Sequence, residues 1–483
     1  MSGEGPGRLT QFAKGIMDIF EVEGGNPISG SVLLSGAKNA ATKMMAASLL
    51  TDEEVVLENY PDLGDTQITA ELLSAVGTKI TKLNGTVKLI TPEIKSYSVP
   101  QPTRRNRIPI LLLSPLLYRV KYAAVPIMGG DKIGTRPVNF HLQALKEMGA
   151  EILETESGYE AHAEQLHGAT IVLPYPSVGA TENIILAGVL ARGRTMIINA
   201  AVEPEIIDLI KLLQKMGAII ELGAERRIFI EGVAKLHGAT HKVMFDRNEA
   251  VSFACLGLAT GGQVKILGAE QENLLTFLNA VRRIGANYRV DENGIEFEAA
   301  AKMQGIHLET DTHPGFMTDW QQPFCVLLTQ AWGISVIHET VYENRFGYAE
   351  TLKKMGADIT TFNKCLGELH CRFREMEYAH SCVVRGRAEL FGSEIEIPDI
   401  RAGMAHLIAA FVAKGTSRVF GIEHLDRGYE NLEAKIAGMG GRVRRVTSDE
   451  FRVTSPDVRC AKSGSRLPIL RSKSERRDWR VGE

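Results

Sequence analysis

The stretch PIMGGDKIGTRPVNFH, residues 126–141, gathers residue types that suit an anion: a glycine pair, Lys132, a further glycine and Arg136 ahead of a proline. Glycine lets a backbone approach a ligand closely, and a guanidinium pairs carboxylate or phosphate oxygens through two parallel hydrogen bonds. Asp131 stands in the middle of this set with the wrong sign for such a ligand. A reference pKa of ~3.9 leaves an aspartate ionised at neutral pH, and Lys132 and Arg136 favour that form further. Other polar phrases read more plainly. PSVGATEN, 176–183, has the form of a strand-to-helix cap, and Asp319 in FMTDWQ that of an acid favoured by a helix N-terminus. Cys365 and Cys371 flank His370 and could be imagined as metal ligands, but no second paired half follows. All six cysteines (255, 325, 365, 371, 382 and 460) are therefore read as reduced thiols, with no metal expected.

These groups need a scaffold, and its bulk properties narrow the choices. A chain of 483 residues exceeds one ordinary core and implies two domains or more. Hydrophobic content of 44% and charged content of 23% are those of a globular protein. The net charge of −3 excludes a general nucleic-acid binder, so a polyanionic ligand must be met by local arginines. The longest apolar run, IPILLLSPLLY at 108–118, is too short to span a bilayer and is broken by Pro115. The first fifteen residues lack the apolar core of a signal peptide. The expectation is a cytoplasmic protein with no membrane and no nucleic-acid partner.

A helix-ending phrase recurs along the chain: LLSAVGTKI, LKEMGAEI, LQKMGAII, VRRIGANYRV, LKKMGADI and IAGMGGRV. Their glycines, 77, 149, 217, 285, 356 and 440, are spaced by 72, 68, 68, 71 and 84 residues. Each phrase reads as a helix with leucine or isoleucine at helical spacing, stopped by a glycine able to take the left-handed conformation, then an apolar strand. Further strands are expected at TIVLP (170–174), TMIINA (195–200) and QVKILGA (263–269). A unit of about 70 residues that cannot bury its own core must stack on its neighbours. No GxGxxG follows a strand, and two domains of three units each is the simplest division. The tail from Arg459 onward differs, with eight Lys/Arg against three acids, and reads as flexible and basic.

Longer phrases occur in a telling order. LSGAKNAATKMMAASLLTDEEVVLENYPDLGDT (34–66), PSVGATENIILAGVL (176–190) and EPEIIDLIKLLQKMGA (203–218) come first. HPGFMTDWQQPF (313–324), ETVYENRFGYAETLKKMGA (339–357), EIPDIRAGMAHLIAA (396–410) and EHLDRGYENLEAKI (423–436) follow. Together, from about residue 17 to about 446, they resemble the enolpyruvyl transferases, and within them the enzymes acting on a UDP-sugar. The resemblance implies an α/β fold: a two-domain inside-out α/β barrel of six βαβαββ-type units, three per domain. It also implies a discontinuous first domain, 1–37 plus 246–458, a second domain, 38–245, carrying the mobile loop 126–141, and a basic, disordered tail, 459–483. Substrates would bind between the domains.

The implied reaction moves enolpyruvate from phosphoenolpyruvate to the 3′-hydroxyl of UDP-N-acetylglucosamine, releasing phosphate by addition–elimination, the first committed step of peptidoglycan synthesis. It needs a cationic cradle, a base, an acid and exclusion of water, and no metal or organic cofactor. By resemblance, Lys38 and Asn39 in GAKNA, with Arg136, Arg345, Arg401 and Arg427, hold phosphoenolpyruvate. Arg107, Arg136, Pro137, Val138, Asn139, Phe140, Ser177, Val178, Gly179, Asp319 and Val341 face the sugar nucleotide. Asp319 matches the carboxylate that meets the acceptor hydroxyl as base, and Asp399 in PDIRAG is a second acid/base candidate.

Three departures stand out. Asp131 occupies a place where most relatives have cysteine; the matching role is to protonate the methylene carbon and help phosphate leave. Alkylation by fosfomycin takes place at that cysteine, so insensitivity to the drug is expected. The phrase DRNEAVS (246–252) and Met317 differ from the usual DRIETGT and proline. Those last two changes leave open a relative using another nucleotide acceptor such as UMP, or a non-catalytic UDP-sugar sensor. The intact set of Lys38, Arg136, Arg345, Arg401 and Arg427 speaks against the sensor.

Overall fold

The structure is a computed structural model that describes residues 18–104, 106–127, 129 and 138–447. Asp131, Arg136 and Pro137 lie outside these residues, as do the first seventeen positions and the basic tail.

The repeated phrases are amphipathic helices lying on the outside. Leu275–Arg283 buries four of its nine residues, Phe277, Leu278, Ala280 and Val281, and turns its charged side outward. The six repeat glycines all have positive φ, between 83° and 116°, which lets each helix end in the left-handed cap before the next strand. TIVLP, TMIINA and QVKILGA contain the strands Thr170–Val172, Arg194–Ile198 and Gln263–Leu267.

Each unit also has an inner helix. Those that start at Lys38, Leu113, Val178, Arg247, Thr318 and Ile400 are wrapped on nearly all sides. All thirteen residues of Arg247–Ala259 are buried. The described strands form five four-stranded sheets and one of three strands, and the unit at 307–386 shows the common plan. There His307–Glu309 runs parallel to Gly333–His338, and Asp358–Phe362 and Ser381–Gly386 add antiparallel strands. Sheets outside and apolar helices inside make the two-domain α/β fold, three units to each half.

One apolar core runs from Phe20 to Leu34 and from Ala250 to Met439; the other runs from Ala37 to Val243. We call them the terminal half and the central half. Strand Ile19–Gly24 pairs with Gly415–Phe420 and Arg442–Val446, so both ends of the described chain share one sheet. Each half takes a strand just before the chain leaves it. Gly30–Leu33 pairs with Gln263–Leu267 in the terminal half before the chain enters Lys38–Ala47. Ala239–Lys242 pairs with Val55–Glu58 in the central half before Arg247–Ala259. The two crossing segments lie side by side, with Ala37 N–H donating to Met244 O (2.7 Å) and Asp246 N–H to Ser35 O (2.9 Å). Gly36 sits where any Cβ would come within 1.9 Å of the Asn59 carbonyl, so only glycine fits the crossing.

Candidate active site

Four inner helices bring their N-terminal ends together where the halves meet. Asp246 caps Arg247–Ala259 through the amides of Asn248 and Glu249, and its other oxygen accepts from Lys38 N–H at 3.4 Å. Trp320, in the first turn of Thr318–Thr329, donates to Asn248 Oδ1 at 3.0 Å. Asp399 caps Ile400–Val412 by accepting from the amides of Arg401 and Ala402 at 2.9 and 3.0 Å. Converging N-termini give a positive potential that suits an anion.

At this point Asp319 lies between two guanidiniums. Arg345 donates to Oδ1 at 2.5 Å and Arg401 Nε to Oδ2 at 3.2 Å. Arg345 and Arg401 are only 3% and 7% exposed, so two cations are held with little water around them. Burial pushes the Asp319 carboxyl up, but the guanidiniums of Arg401 and Arg345, with Lys38 behind them, outweigh it and hold the group far below the usual carboxylate range. Arg401 also donates to Tyr429 Oη (3.1 Å), which shares a hydrogen bond with Ser252 Oγ (2.8 Å). Arg345 Nε donates to Thr318 Oγ1, which donates to Glu339 Oε2 at 2.9 Å. The other Glu339 oxygen accepts from the amides of Val341 and Tyr342. Removing one partner from such a buried set costs about 3–5 kcal/mol, so the site is rigid before any ligand arrives.

A second carboxylate spans the halves. Asp65, in the first turn of Gly64–Val76, accepts from Lys38 Nζ at 3.0 Å and from Arg427 Nε at 3.1 Å. Burial raises its pKa, and Lys38 and Arg427 more than reverse this. Gly64 permits the approach: a Cβ there would stand 3.1 Å from Arg427 Cα and 3.5 Å from an Arg104 nitrogen.

The central half presents a different face. Ser177 caps Val178–Gly188, accepting from Ala180 N–H at 3.4 Å. Gly179 lies against His141, whose ring would be 3.1 Å from a Cβ at that position. Burial, helped by the charge of Arg107, pushes His141 down to about 3, so its ring is neutral. Val138 is buried at the start of Asn139–Glu147, Phe140 is half-buried and Asn139 is exposed. From the terminal half, Arg372 donates to the Val341 carbonyl and stacks 4.0 Å over the Tyr175 ring, two residues before Ser177.

The structure thus places Lys38, Arg345, Arg401, Arg427, Asp319 and Asp399 at one junction. Arg107, Val138, Ser177, Val178 and Gly179 lie on the central half, with Val341 linked to it through Arg372. Asn39 is half-buried in the second position of Lys38–Ala47. Asp65, Glu339, Tyr429, Asp246 and Arg372 were not singled out from the sequence. Asp65 had a signal, an acid in the first turn of a helix that follows a glycine. Glu339 had none, being one acid at a strand end. His370 is exposed, and the five described cysteines are free. Among the described residues no helix is long and apolar enough to cross a membrane.

A family profile described as EPSP synthase (3-phosphoshikimate 1-carboxyvinyltransferase) matches residues 22–436. A UDP-N-acetylglucosamine 1-carboxyvinyltransferase of Protochlamydia amoebophila is 47% identical over 464 residues, covering 94% of this chain and 99% of that one. Proteins of the same name from Chlamydia pneumoniae and Zymomonas mobilis are 46% and 41% identical, over 91% and 89% of this chain and 97% and 100% of theirs. The solved enolpyruvyl transferase NikO of Streptomyces tendae superposes with a TM-score of 0.78 at 22% identity, over 90% of this chain and 100% of that one. An EPSP synthase of Acinetobacter baumannii gives 0.66 at 20%, over 89% of this chain and 100% of that one. At those identities the structures speak for the fold.

Proposed function

The chain belongs to the enolpyruvyl transferase family, and from that premise we propose that it transfers enolpyruvate from phosphoenolpyruvate to the 3′-hydroxyl of UDP-N-acetylglucosamine, releasing phosphate, as the first committed step of peptidoglycan synthesis. The acceptor is supported by the shared name of relatives at 46–47% identity over nearly the whole chain. The single observation that carries the chemistry is Asp319 held between Arg345 and Arg401 at converging helix N-termini.

The acceptor oxygen attacks C2 of phosphoenolpyruvate while a proton is delivered to C3. Loss of a proton from C3 then expels phosphate and leaves the enol ether. Arg345, Arg401, Arg427, Lys38 and Arg136 take the phosphate and carboxylate, with Asn39 beside them. Asp319, paired as it is, is a weak base. An entering dianion competes for its two guanidiniums, and their transfer to the ligand returns basicity to the carboxylate just as the hydroxyl needs it. Asp399, whose Oδ1 caps Ile400–Val412, is the second acid/base candidate. Asp131 delivers the proton to C3, its pKa raised by the dianion and by desolvation on closure. Ser177, Val178, Gly179, Arg107, Val341 and the stretch Arg136 to Phe140 receive the sugar nucleotide, both ligands being small molecules.

The halves act as two domains, 1–37 plus 246–458 and 38–245, with the tail 459–483 outside both. Two separate apolar cores and the paired crossings support that division. The test is phosphate release from phosphoenolpyruvate with UDP-N-acetylglucosamine, with UMP and with no acceptor. Release with UDP-N-acetylglucosamine is expected; release with UMP alone overturns the acceptor, and bound UDP-sugar without turnover overturns the reaction.

A further inference from the structure

Four of the six units have a tight hairpin between their last two strands, of two residues at 84–85 and 292–293 and three at 155–157 and 224–226. The unit at 307–386 departs from this. Between Asp358–Phe362 and Ser381–Gly386 it carries eighteen residues, NKCLGELHCRFREMEYAH, with no helix or strand. Leu366, Leu369, Met376 and Tyr378 are 37–49% exposed, and of the loop's large apolar side chains only Phe373 is buried. An irregular segment of that length needs another source of order.

The loop folds back on a cluster of soft donors. One ligand atom from each of His338, Cys365 and Cys371 lies within 4.8 Å of the other two. His338 and His380 are fully buried and Cys371 is 6% exposed. Nδ1 of His338 is bonded to Ser381 Oγ at 2.9 Å, and its Nε2 has no hydrogen-bond partner. An orphaned buried imidazole nitrogen beside two thiols calls for a ligand. His380 adjoins this trio through Cys365: its Nδ1 meets the Tyr378 carbonyl at 2.7 Å and must be the donor there. Its Nε2 therefore carries the lone pair, and it faces Cys365 Sγ at 3.4 Å. Metal-bound histidines commonly have their second nitrogen fixed in this way. Zinc–sulfur and zinc–nitrogen bonds of about 2.3 and 2.0 Å in a tetrahedron place sulfur and nitrogen about 3.5 Å apart, close to that separation.

We propose that His338, Cys365, Cys371 and His380 form a structural Zn²⁺ site that staples the 363–380 loop to the sheet beneath it. Two thiolates and two imidazoles in tetrahedral array select zinc over harder cations. The Glu309 carboxylate beside His338 is already committed to the amides of Glu368 and Leu369 at 3.0 and 2.9 Å. The site borders the Asp319 cluster, since Glu339 N–H donates to the His380 carbonyl at 2.8 Å, and it fixes Cys371 next to Arg372, whose guanidinium crosses to Tyr175 on the central half. The proposal stands whichever nucleotide the enzyme uses.

The full chain, reduced and dialysed against Zn²⁺ and then against buffer, is expected to retain one equivalent by elemental analysis. The Co²⁺ form is expected to show tetrahedral ligand-field bands and thiolate-to-cobalt charge transfer. Cys371→Ser and Cys365→Ser are expected to weaken Zn²⁺ binding at least 100-fold, and His380→Gln about 10–100-fold. Should the variants fold poorly, the unaltered protein decides: a strong chelator is expected to lower its Tm and open the loop to protease. Sub-stoichiometric zinc in the reduced unaltered protein overturns the site. So does retention of zinc by the Cys365→Ser/Cys371→Ser double variant. A Cys365–Cys371 disulfide that forms in glutathione buffer with Zn²⁺ present overturns it in favour of a redox pair.

Discussion

On the terminal half, Arg345 and Arg401 are buried and already bonded to Asp319, while the central half presents a half-buried serine cap, a helix N-terminus and a buried histidine that burial keeps neutral. The first face stores paired charge in a place with little water. The second offers neutral donors and a backbone dipole. Stored charge can be handed to a compact dianion with little rearrangement, whereas neutral donors spread along a helix start suit a long ligand held by many weak contacts. Under the proposed function, the difference separates holding the reacting group from holding the acceptor.

The harshest way to break that separation is Asp131→Asn, which removes the residue proposed as proton donor. A loss of about 10⁴ in kcat is expected by phosphate release; a loss below tenfold places the acid elsewhere. Asp131→Cys should keep activity, gain time-dependent covalent labelling by fosfomycin that the unaltered protein lacks, and lose activity toward lower pH. Arg401→Ala comes next, with kcat expected to fall about 10²–10³-fold. It also takes from Asp319 one of its two cations, so Tm should drop, and Arg401→Ala/Asp319→Ala should regain part of the Tm and none of the activity. Ser177→Ala sharpens the contrast: KM for the sugar nucleotide should rise about tenfold with kcat unchanged, the effect of one neutral hydrogen bond. An equal fall in kcat would put Ser177 in the reacting centre.

The smallest effect is on stability. His141 is pushed down to about 3, and His313 and His406 to about 4, each mainly by burial. Unfolded histidine titrates near 6.5, so between that pH and the folded values the unfolded chain binds more protons, and stability falls as pH drops from about 6.5 to about 4. Glu182 and Glu249, both raised to about 7 by burial, act in the opposite sense and cost stability as pH rises from about 4.5 to 7. His141→Gln should flatten the acid limb of a Tm–pH profile while leaving the limb near pH 7 in place.

Much of this was legible in the residues. The outer helices carry a clear 3.6-residue pattern and end in glycines that must turn left-handed, so the six units could be counted. The inner helices could not be read the same way, because Arg247–Ala259 is buried on every side and a helix apolar all round has no period to detect. Arg345, Arg401 and Arg427 could be named from their phrases. That Asp319 already neutralises two of them and that Asp65 ties the halves together depend on neighbours 26 to 362 residues away. No local pattern encodes such distances. The 363–380 loop shows the same limit: Cys365 and Cys371 drew notice beside His370, yet the structure sets them against His338 from the adjoining strand.

The paired crossings also bear on how the chain is made. The central half is complete once Ala239–Lys242 has been added, about midway through synthesis. Strand Ile19–Gly24 leaves the ribosome before any of it, yet its neighbours are Gly415–Phe420 and Arg442–Val446. The earliest strand must therefore stay unpaired while another domain assembles, and it finds its sheet only when translation is nearly over. Synthesis order and assembly order are reversed, and a stalled ribosome past residue 245 would hold one finished lobe and an orphaned strand.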